Sequence, residues 1–357
     1  MRIVITGASG NLGTALLRRL LATPDSHEIV GVCRRPPTDV APYSSAEWVA
    51  VDLAEPAARD VLTPVFEGAD AVVHLAWGFQ PSHDVDYLER VGVQGTRAVL
   101  DAADAAGVPH LVHMSSLGAY SPGPDDRAVP ESWPTRGTET LAYSRHKVAA
   151  ERMLDDYEAA HAGGMAVARI RPALVIQRDA ASALLRYGVP GYLPAAALRH
   201  VPLLPVDRRL RIQVVHTDDA ADAVVRVLEQ RATGAFNLAA EPPITRDDIA
   251  DALGARPVDL PRPVLRGLTA ATWYAHLQPL DPGWVDLAFD VPLMDSSRAR
   301  EELGWHPLVD ARDALAEVVR AMSETASTPS PALRPRSLSE QFARLVRLGP
   351  ITRRRLP

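Results

Sequence analysis

Residues 2–13 read Arg2-Ile3-Val4-Ile5-Thr6-Gly7-Ala8-Ser9-Gly10-Asn11-Leu12-Gly13, and this stretch decides the fold. Arg2–Thr6 is a short β-branched run of the kind that forms a buried strand. Helical spacing begins at Leu12. Between the two, the glycines stand in a G-x-x-G-x-x-G pattern. A strand turning into a helix at a dinucleotide site needs glycine three times: for a tight turn, for close backbone approach to a pyrophosphate, and for helix–strand packing. The helix N-terminus adds unpaired N–H groups and a partial positive charge that suit phosphate. Gly7, Ser9, Gly10, Asn11, Leu12 and Gly13 are therefore the candidate phosphate loop.

Outward from the loop, strands and helices alternate. Arg2–Thr6, Glu28–Cys33, Trp48–Val51, Ala71–Leu75, His110–Ser115 and Ala166–Ile170 read as strands. Leu12–Ala22, Ala57–Phe66, Tyr87–Ala106 and Glu139–Ala160 carry helical spacing. Such alternation implies right-handed crossovers and a parallel sheet covered on both faces. The expected fold is α/β, a Rossmann-type doubly wound parallel sheet with a smaller C-terminal substrate-binding cap. Residues 1–175, with returning segments about 212–240, make the NAD(P)-binding domain, and about 176–211 and 241–322 make the cap over the strand ends.

The 357 residues are 47% hydrophobic with a formal charge of −6, which gives no reason to expect nucleic-acid binding. A single cysteine, Cys33, excludes an internal disulfide framework and fits a reducing cytosol. No stretch approaches the ~20 apolar residues of a membrane span, and the N-terminus reads as a strand rather than a signal peptide. A cytoplasmic protein with a small-molecule substrate is expected. From about Thr325 the chain turns Ser-, Pro- and Arg-rich, and residues 325–357 read as a basic, disordered tail. Leu338, Phe342 and Leu345 fall at helical spacing, so weak membrane-surface contact is the alternative for this tail.

The end of the second strand reads Val32-Cys33-Arg34-Arg35. An acid there would bind a ribose 2′-hydroxyl, whereas arginines suit a 2′-phosphate, so NADP is preferred over NAD. Asp52, followed by Leu53, is placed to accept from an adenine amino group, or simply starts a loop. Tyr143-Ser144-Arg145-His146-Lys147 puts a phenol and an ammonium on one helix face. A neighbouring cation lowers the phenol pKa, as an acid/base for carbonyl–alcohol interconversion requires. Ser116 ends the strand before them, where its hydroxyl can donate to a substrate oxygen. His216, Asp218 and Asp219 read as a helix cap rather than a metal site, with Asp218 and Asp219 capping. His74, His110 and His113 read as packed, hydrogen-bonded strand residues.

With these motifs in order, residues 1–322 resemble an extended short-chain dehydrogenase/reductase of the NAD-dependent epimerase/dehydratase type. The resemblance rests on Thr6–Gly13, Asp52-Leu53, His74-Leu75-Ala76, Gly95-Thr96, Ser115-Ser116 with Tyr120, Tyr143-x-x-x-Lys147, Arg171-Pro172, Val215–Ala220, Phe236-Asn237-Leu238 and Leu303–Pro307. It implies about seven strands, a tightly bound nicotinamide cofactor and frequent homodimers. It also implies a catalytic triad of Ser116, Tyr143 and Lys147, with Leu75, Ala76, Trp77 and Pro172 against the cofactor. Trp77, Ser116 and Tyr120 are the candidate substrate contacts, and Trp77, Phe79 and Tyr120 are expected at the site rim.

Three departures bear on substrate. Gly92 stands where family members often have asparagine, Leu174 where nucleotide-sugar enzymes carry asparagine, and Ile176-Gln177-Arg178 where Tyr-Gly-Pro is usual. The expected function is hydride transfer at a carbonyl or alcohol carbon with Tyr143 as acid/base. The alternatives are a nucleotide-sugar epimerase/dehydratase with retained NAD, and a cofactor-sensing regulatory protein.

Overall fold

The β-branched runs pair as strands because each is apolar on both faces. The computed structural model describes residues 1–23, 27–78, 83–123, 127–188, 195–278 and 280–335. β1 (Arg2–Thr6), β2 (Glu28–Cys33), β3 (Glu47–Ala50), β4 (Ala71–His74), β5 (His110–Met114) and β6 (Ala166–Pro172) lie in one sheet. β7 (Leu174–Ile176), β8 (Leu203–Pro205), β9 (Arg211–Ile212) and β10 (Val214–His216) follow outside it. β11 (Gly234–Leu238) returns to complete a seven-stranded order β3-β2-β1-β4-β5-β6-β11. Every neighbouring pair is parallel. The order reverses between β1 and β4, so a crevice opens there beyond the strand ends.

One face of the sheet is covered by α1 (Asn11–Leu21), which packs on α7 (Thr217–Gln230). The other carries α2 (Ala58–Phe66), α4 (Gly95–Ala105) and α5 (Ala142–Ala160). The helix expected over Tyr87–Ala106 is α3 (Val85–Glu89), a wider π turn at Arg90–Gln94, and then α4. α6 (Ala181–Gly188), α8 (Arg246–Leu253), α9 (Arg262–Tyr274), α10 (Gly283–Asp290), α11 (Ser297–Leu303) and α12 (Ala311–Ser323) follow. β12 (Ile244–Thr245) pairs with β9, β13 (Arg256–Val258) with β8, and β7 with β10. Leu303 and Trp305, from a segment expected in the cap, are buried in the same cluster as α1 and α7.

α5 is fixed by a buried carboxylate. Glu151 accepts two bonds from Arg171 on β6 at 2.8 Å each, and one from Ser115 Oγ, just past β5, at 2.5 Å. Burial would raise the Glu151 pKa, but Arg171, Ser115 and Arg169 together hold it below the usual carboxylate value. Two strands and a helix are thus tied at one point. Glu151→Ala leaves two buried guanidinium groups without that partner and should cost about 3–5 kcal/mol in urea unfolding, with Glu151→Gln milder. A loss below about 1 kcal/mol would show that the pair does not hold α5.

Candidate active site

The C-terminal ends of β1, β2, β4, β5 and β6 open into a cavity of about 500 Å³. The glycine loop forms its floor. Gly7 has φ +74°, and a Cβ there would lie 2.7 Å from Ala76 N. A Cβ on Gly13 would lie 2.5 Å from the Ala8 carbonyl, so α1 could not approach β1 as it does. Gly10 precedes α1 and meets only the Gly7 carbonyl, at 3.2 Å. The first-turn N–H groups of α1 have no partner within the helix and stand at this floor. Asn11 donates to the Val175 carbonyl at 3.1 Å and accepts from Gln177 at 2.7 Å, so its amide braces the loop against β7.

All sixteen expected cofactor residues line this cavity: Gly7, Ser9, Gly10, Asn11, Leu12, Gly13, Arg34, Arg35, Asp52, Leu53, Leu75, Ala76, Trp77, Tyr143, Lys147 and Pro172. At its outer end Arg34 donates to the Tyr87 hydroxyl at 2.6 Å. One Asp52 oxygen accepts the Ala54 N–H at 3.0 Å, the loop-start role weighed for this residue. The tail expectation needs correction at its beginning. Ser330 is buried and donates to the Ser9 carbonyl, and Thr328 bonds the Tyr43 hydroxyl at 2.8 Å. Pro331, Ala332 and Leu333 line the cavity beside the glycine loop. Residues 336–357, with Leu338, Phe342 and Leu345, lie outside the described residues.

At the inner end Ser144 donates to the Gly118 carbonyl and accepts from Thr138 N–H, which seats the first turn of α5 against the loop after β5. Tyr143 is thereby held half-buried beside Ser116, whose hydroxyl accepts the Gly118 N–H at 3.0 Å. Burial pushes the Tyr143 phenol up to about 12, with the Ser116 hydrogen bond opposing. Lys147 lies one turn on, donates to the Met114 carbonyl at 2.7 Å, and stands 3.4 Å over the Trp77 ring. Burial holds its amine well below the usual lysine value, against the pull of Glu151. The lowering of the phenol expected from Lys147 is not seen: burial sets the direction and Ser116 opposes it.

Gly92 has a reason in the same place. A Cβ there would lie 3.0 Å from the Trp77 indole, so the indole fills the space beside the π turn where an asparagine side chain would stand. Tyr120 is a correction: it is fully buried, outside the cavity lining, donates to Asn237 at 2.6 Å and accepts from Arg171 at 3.0 Å. It braces the core rather than touching substrate. Phe79 lies outside the described residues. His216, not Asp218 or Asp219, caps α7, accepting the Asp218 N–H at 3.2 Å; Asp219 accepts from Leu308 and Val309.

Sequence reasoning missed one wall. Trp284, Leu287 and Ala288 of α10, with Val291 just after it, line the cavity, and Trp284 stacks on Tyr143 at 5.2 Å. Their i, i+3, i+4, i+7 spacing was a readable signal, but nothing local says which site a helical face covers.

His74 and His113 lie buried behind the site. The Thr96 hydroxyl donates to the Gly92 carbonyl, so it accepts from His74 Nε2, and His74 Nδ1 accepts from Thr6 at 2.7 Å. His113, expected to be hydrogen-bonded, has no partner on either ring nitrogen among the described residues. Burial lowers His74 to about 3 and His113 well below its ordinary value of 6.5. The unfolded chain therefore binds more protons below that ordinary value. Their contribution is complete above it and is lost as pH falls toward the folded values, by up to about 1.4 kcal/mol per pH unit for each histidine. His113→Phe should give a shallower fall of urea stability between about pH 6.5 and 4 than wild type; equal slopes would sink this account.

Among the described residues no helix is long and apolar enough to cross a membrane. An uncharacterized protein of Mycobacterium tuberculosis (strain ATCC 25618 / H37Rv) is 31% identical over 324 residues, covering 90% of this chain and 30% of that protein. This chain thus spans under a third of the length of that relative. Sterol demethylase protein B of Methylococcus capsulatus is 34% identical over 229 residues, 59% of this chain and 67% of that protein. A dTDP-glucose 4,6-dehydratase from Streptomyces venezuelae, solved with NAD and TYD bound, shares the fold at a TM-score of 0.67 and 22% identity, over 91% and 97% of the two chains. The sequence pattern of the NAD dependent epimerase/dehydratase family matches residues 3–239, and with the seven-stranded sheet and its glycine loop this chain belongs to that family of enzymes.

Proposed function

We propose that the chain is an NADP-preferring oxidoreductase that transfers a hydride at a carbonyl or alcohol carbon, with Tyr143 as general acid/base. The observation that carries this reading is Tyr143 set beside Ser116 and one turn from Lys147, all three lining the inner end of a groove whose floor is the glycine loop. The loop fits a dinucleotide: Gly10 leaves room that a side chain would fill, and the α1 N–H groups offer donors to phosphate. Arg34 and Arg35, with no acid at the end of β2, support a 2′-phosphate. When bound, the nicotinamide supplies or accepts the hydride.

The rest of the chemistry belongs to the side chains. Ser116 donates to the substrate oxygen and steadies its developing charge. Tyr143 holds a proton at Oη at physiological pH, as an ordinary phenol does, and burial pushes its pKa further up. A neutral phenol can give its proton to a carbonyl oxygen as the carbon takes up hydride. Lys147, one turn away on the same face, is the residue to bind a ribose hydroxyl. The nucleotide-sugar epimerase/dehydratase reading is the runner-up. It is disfavoured because Leu174 lines the cavity and the Gln177 amide is committed to Asn11 and Arg18.

Fluorescence titration should show NADPH binding at least about tenfold more tightly than NADH, and Arg34→Asp should reverse that order. Tighter NADH binding by wild type would move the reading to the epimerase/dehydratase. Tyr143→Phe should lose about 10²–10⁴-fold in kcat while keeping cofactor affinity. Unchanged turnover would remove Tyr143 from the chemistry, and a wild type that binds cofactor but turns over no carbonyl would favour the sensor.

A further inference from the structure

Beyond Tyr143 the cavity changes character. α10 presents Trp284, Leu287 and Ala288 to it, and Val291 continues that face. Leu174, Leu184 and Ile212, which pack in one apolar cluster, line the cavity as well, while Ala180 and Ala183 pack with Leu333 nearer the glycine loop. Besides Ser116, Tyr143 and Lys147, the polar side chains of this part among the described lining residues are the Trp284 indole and Gln213, whose amide is engaged at both its nitrogen and its oxygen. It donates to the Met294 carbonyl at 3.1 Å and accepts the Met294 N–H at 2.6 Å.

Cations are close by in sequence but committed elsewhere. Arg262 forks onto Asp290 at 2.5 Å, and Arg266 meets Asp286 at 2.8 Å. These four residues line a separate cavity with Thr140 and are absent from the lining of the first. Asp286 also accepts from Thr140 at 2.9 Å, three residues before Tyr143, so the polar face of α10 is tied down outside while the apolar face turns inward. A diphosphate or a sugar with several hydroxyls brought here would lose water and gain few donors and no charge from these walls, a cost of about 1–3 kcal/mol for each unpaired polar group.

We propose that this chamber takes an apolar carbonyl compound, such as a ring ketone, that carries neither phosphate nor nucleotide. The inference rests on the reading of Tyr143 as acid. In the reaction the carbonyl carbon gains a hydride from reduced nicotinamide and the oxygen gains the Tyr143 proton. The C=O π bond is replaced by one C–H and one O–H bond, the cofactor is oxidised, and solvent restores the proton to Tyr143.

The test uses the purified full chain with NADPH and three probes: 2-tetralone, 2-decanone and UDP-glucose. Binding is followed by quenching of tryptophan fluorescence, and turnover by NADPH oxidation. Wild type should bind and reduce at least one ketone and show no saturable binding of UDP-glucose. Leu287→Arg, which sets a cation into the wall, should weaken ketone binding by about tenfold or more with NADPH affinity held within about twofold. UDP-glucose binding more tightly than both ketones would overturn the proposal, as would binding of none of the three. A ketone that binds wild type and is not reduced upholds the chamber and defeats the oxidoreductase reading instead. The wild-type preference stands on its own if the arginine variant does not fold.

Discussion

The site depends on one buried carboxylate. Glu151 sits among Ser115, Arg169 and Arg171, and its charge cannot be left without partners in that interior. Meeting that demand brings α5 to a fixed place against β5 and β6. Lys147 then falls one turn before Glu151 and Tyr143 two turns before, with Ser116 next to the anchored Ser115. An ion pair of this kind adds little net stability over an apolar packing of equal volume, since both partners give up water. What it contributes is position. A helix held by apolar contacts alone could shift along its axis; one held by a forked guanidinium bond is fixed in register.

A second constraint runs along β4. Trp77 follows its end, packs over Gly92 and lies under the Lys147 amine. The π turn at Arg90–Gln94, the glycine and the indole belong together. A larger residue at position 92 would displace the indole, and the indole is what Lys147 rests on. The missing asparagine is thus matched by a change elsewhere in the chain, and the Tyr143–Ser116 pair keeps its place. The same logic holds for Gln177. It departs from the family pattern, yet it ties Asn11 and Arg18 of α1 to the end of β7 and so steadies the glycine loop.

Much of this was legible in residue order. The glycine loop, the acid-free end of β2 and the Tyr143/Lys147 pair are local patterns, and local patterns survive folding because neighbours in sequence impose them. Strand ends differ where a distant partner decides. Ala166–Ile170 was expected, and the strand runs on to Pro172 because β11 pairs with it from Ala168 to Pro172. Tyr120 looked like a rim residue from its spacing to Ser116, but Arg171 and Asn237 draw its hydroxyl inward. The segment around Ser330 has the composition of a tail, and only its contacts with Ser9 and Tyr43 reveal a wall of the groove. α10 was invisible as a site element for the same reason. Its face is readable, and its target, more than a hundred residues away in sequence, is not.

The two ends of the groove call for different molecules. Around the glycine loop, backbone N–H groups and two arginines favour a long anion. Past Tyr143, Trp284 and the aliphatic face of α10 favour a body with no charge at all. At the boundary stands a phenol whose pKa burial raises, while burial lowers that of the Lys147 amine beside it. On the proposed reading an oxyanion on the substrate would be poorly solvated there, so hydride arrival and proton delivery would be closely coupled. Ser116 and Tyr143 already form one hydrogen-bonded unit that can serve both needs. The dry wall and the raised phenol are therefore two consequences of the same apolar surroundings.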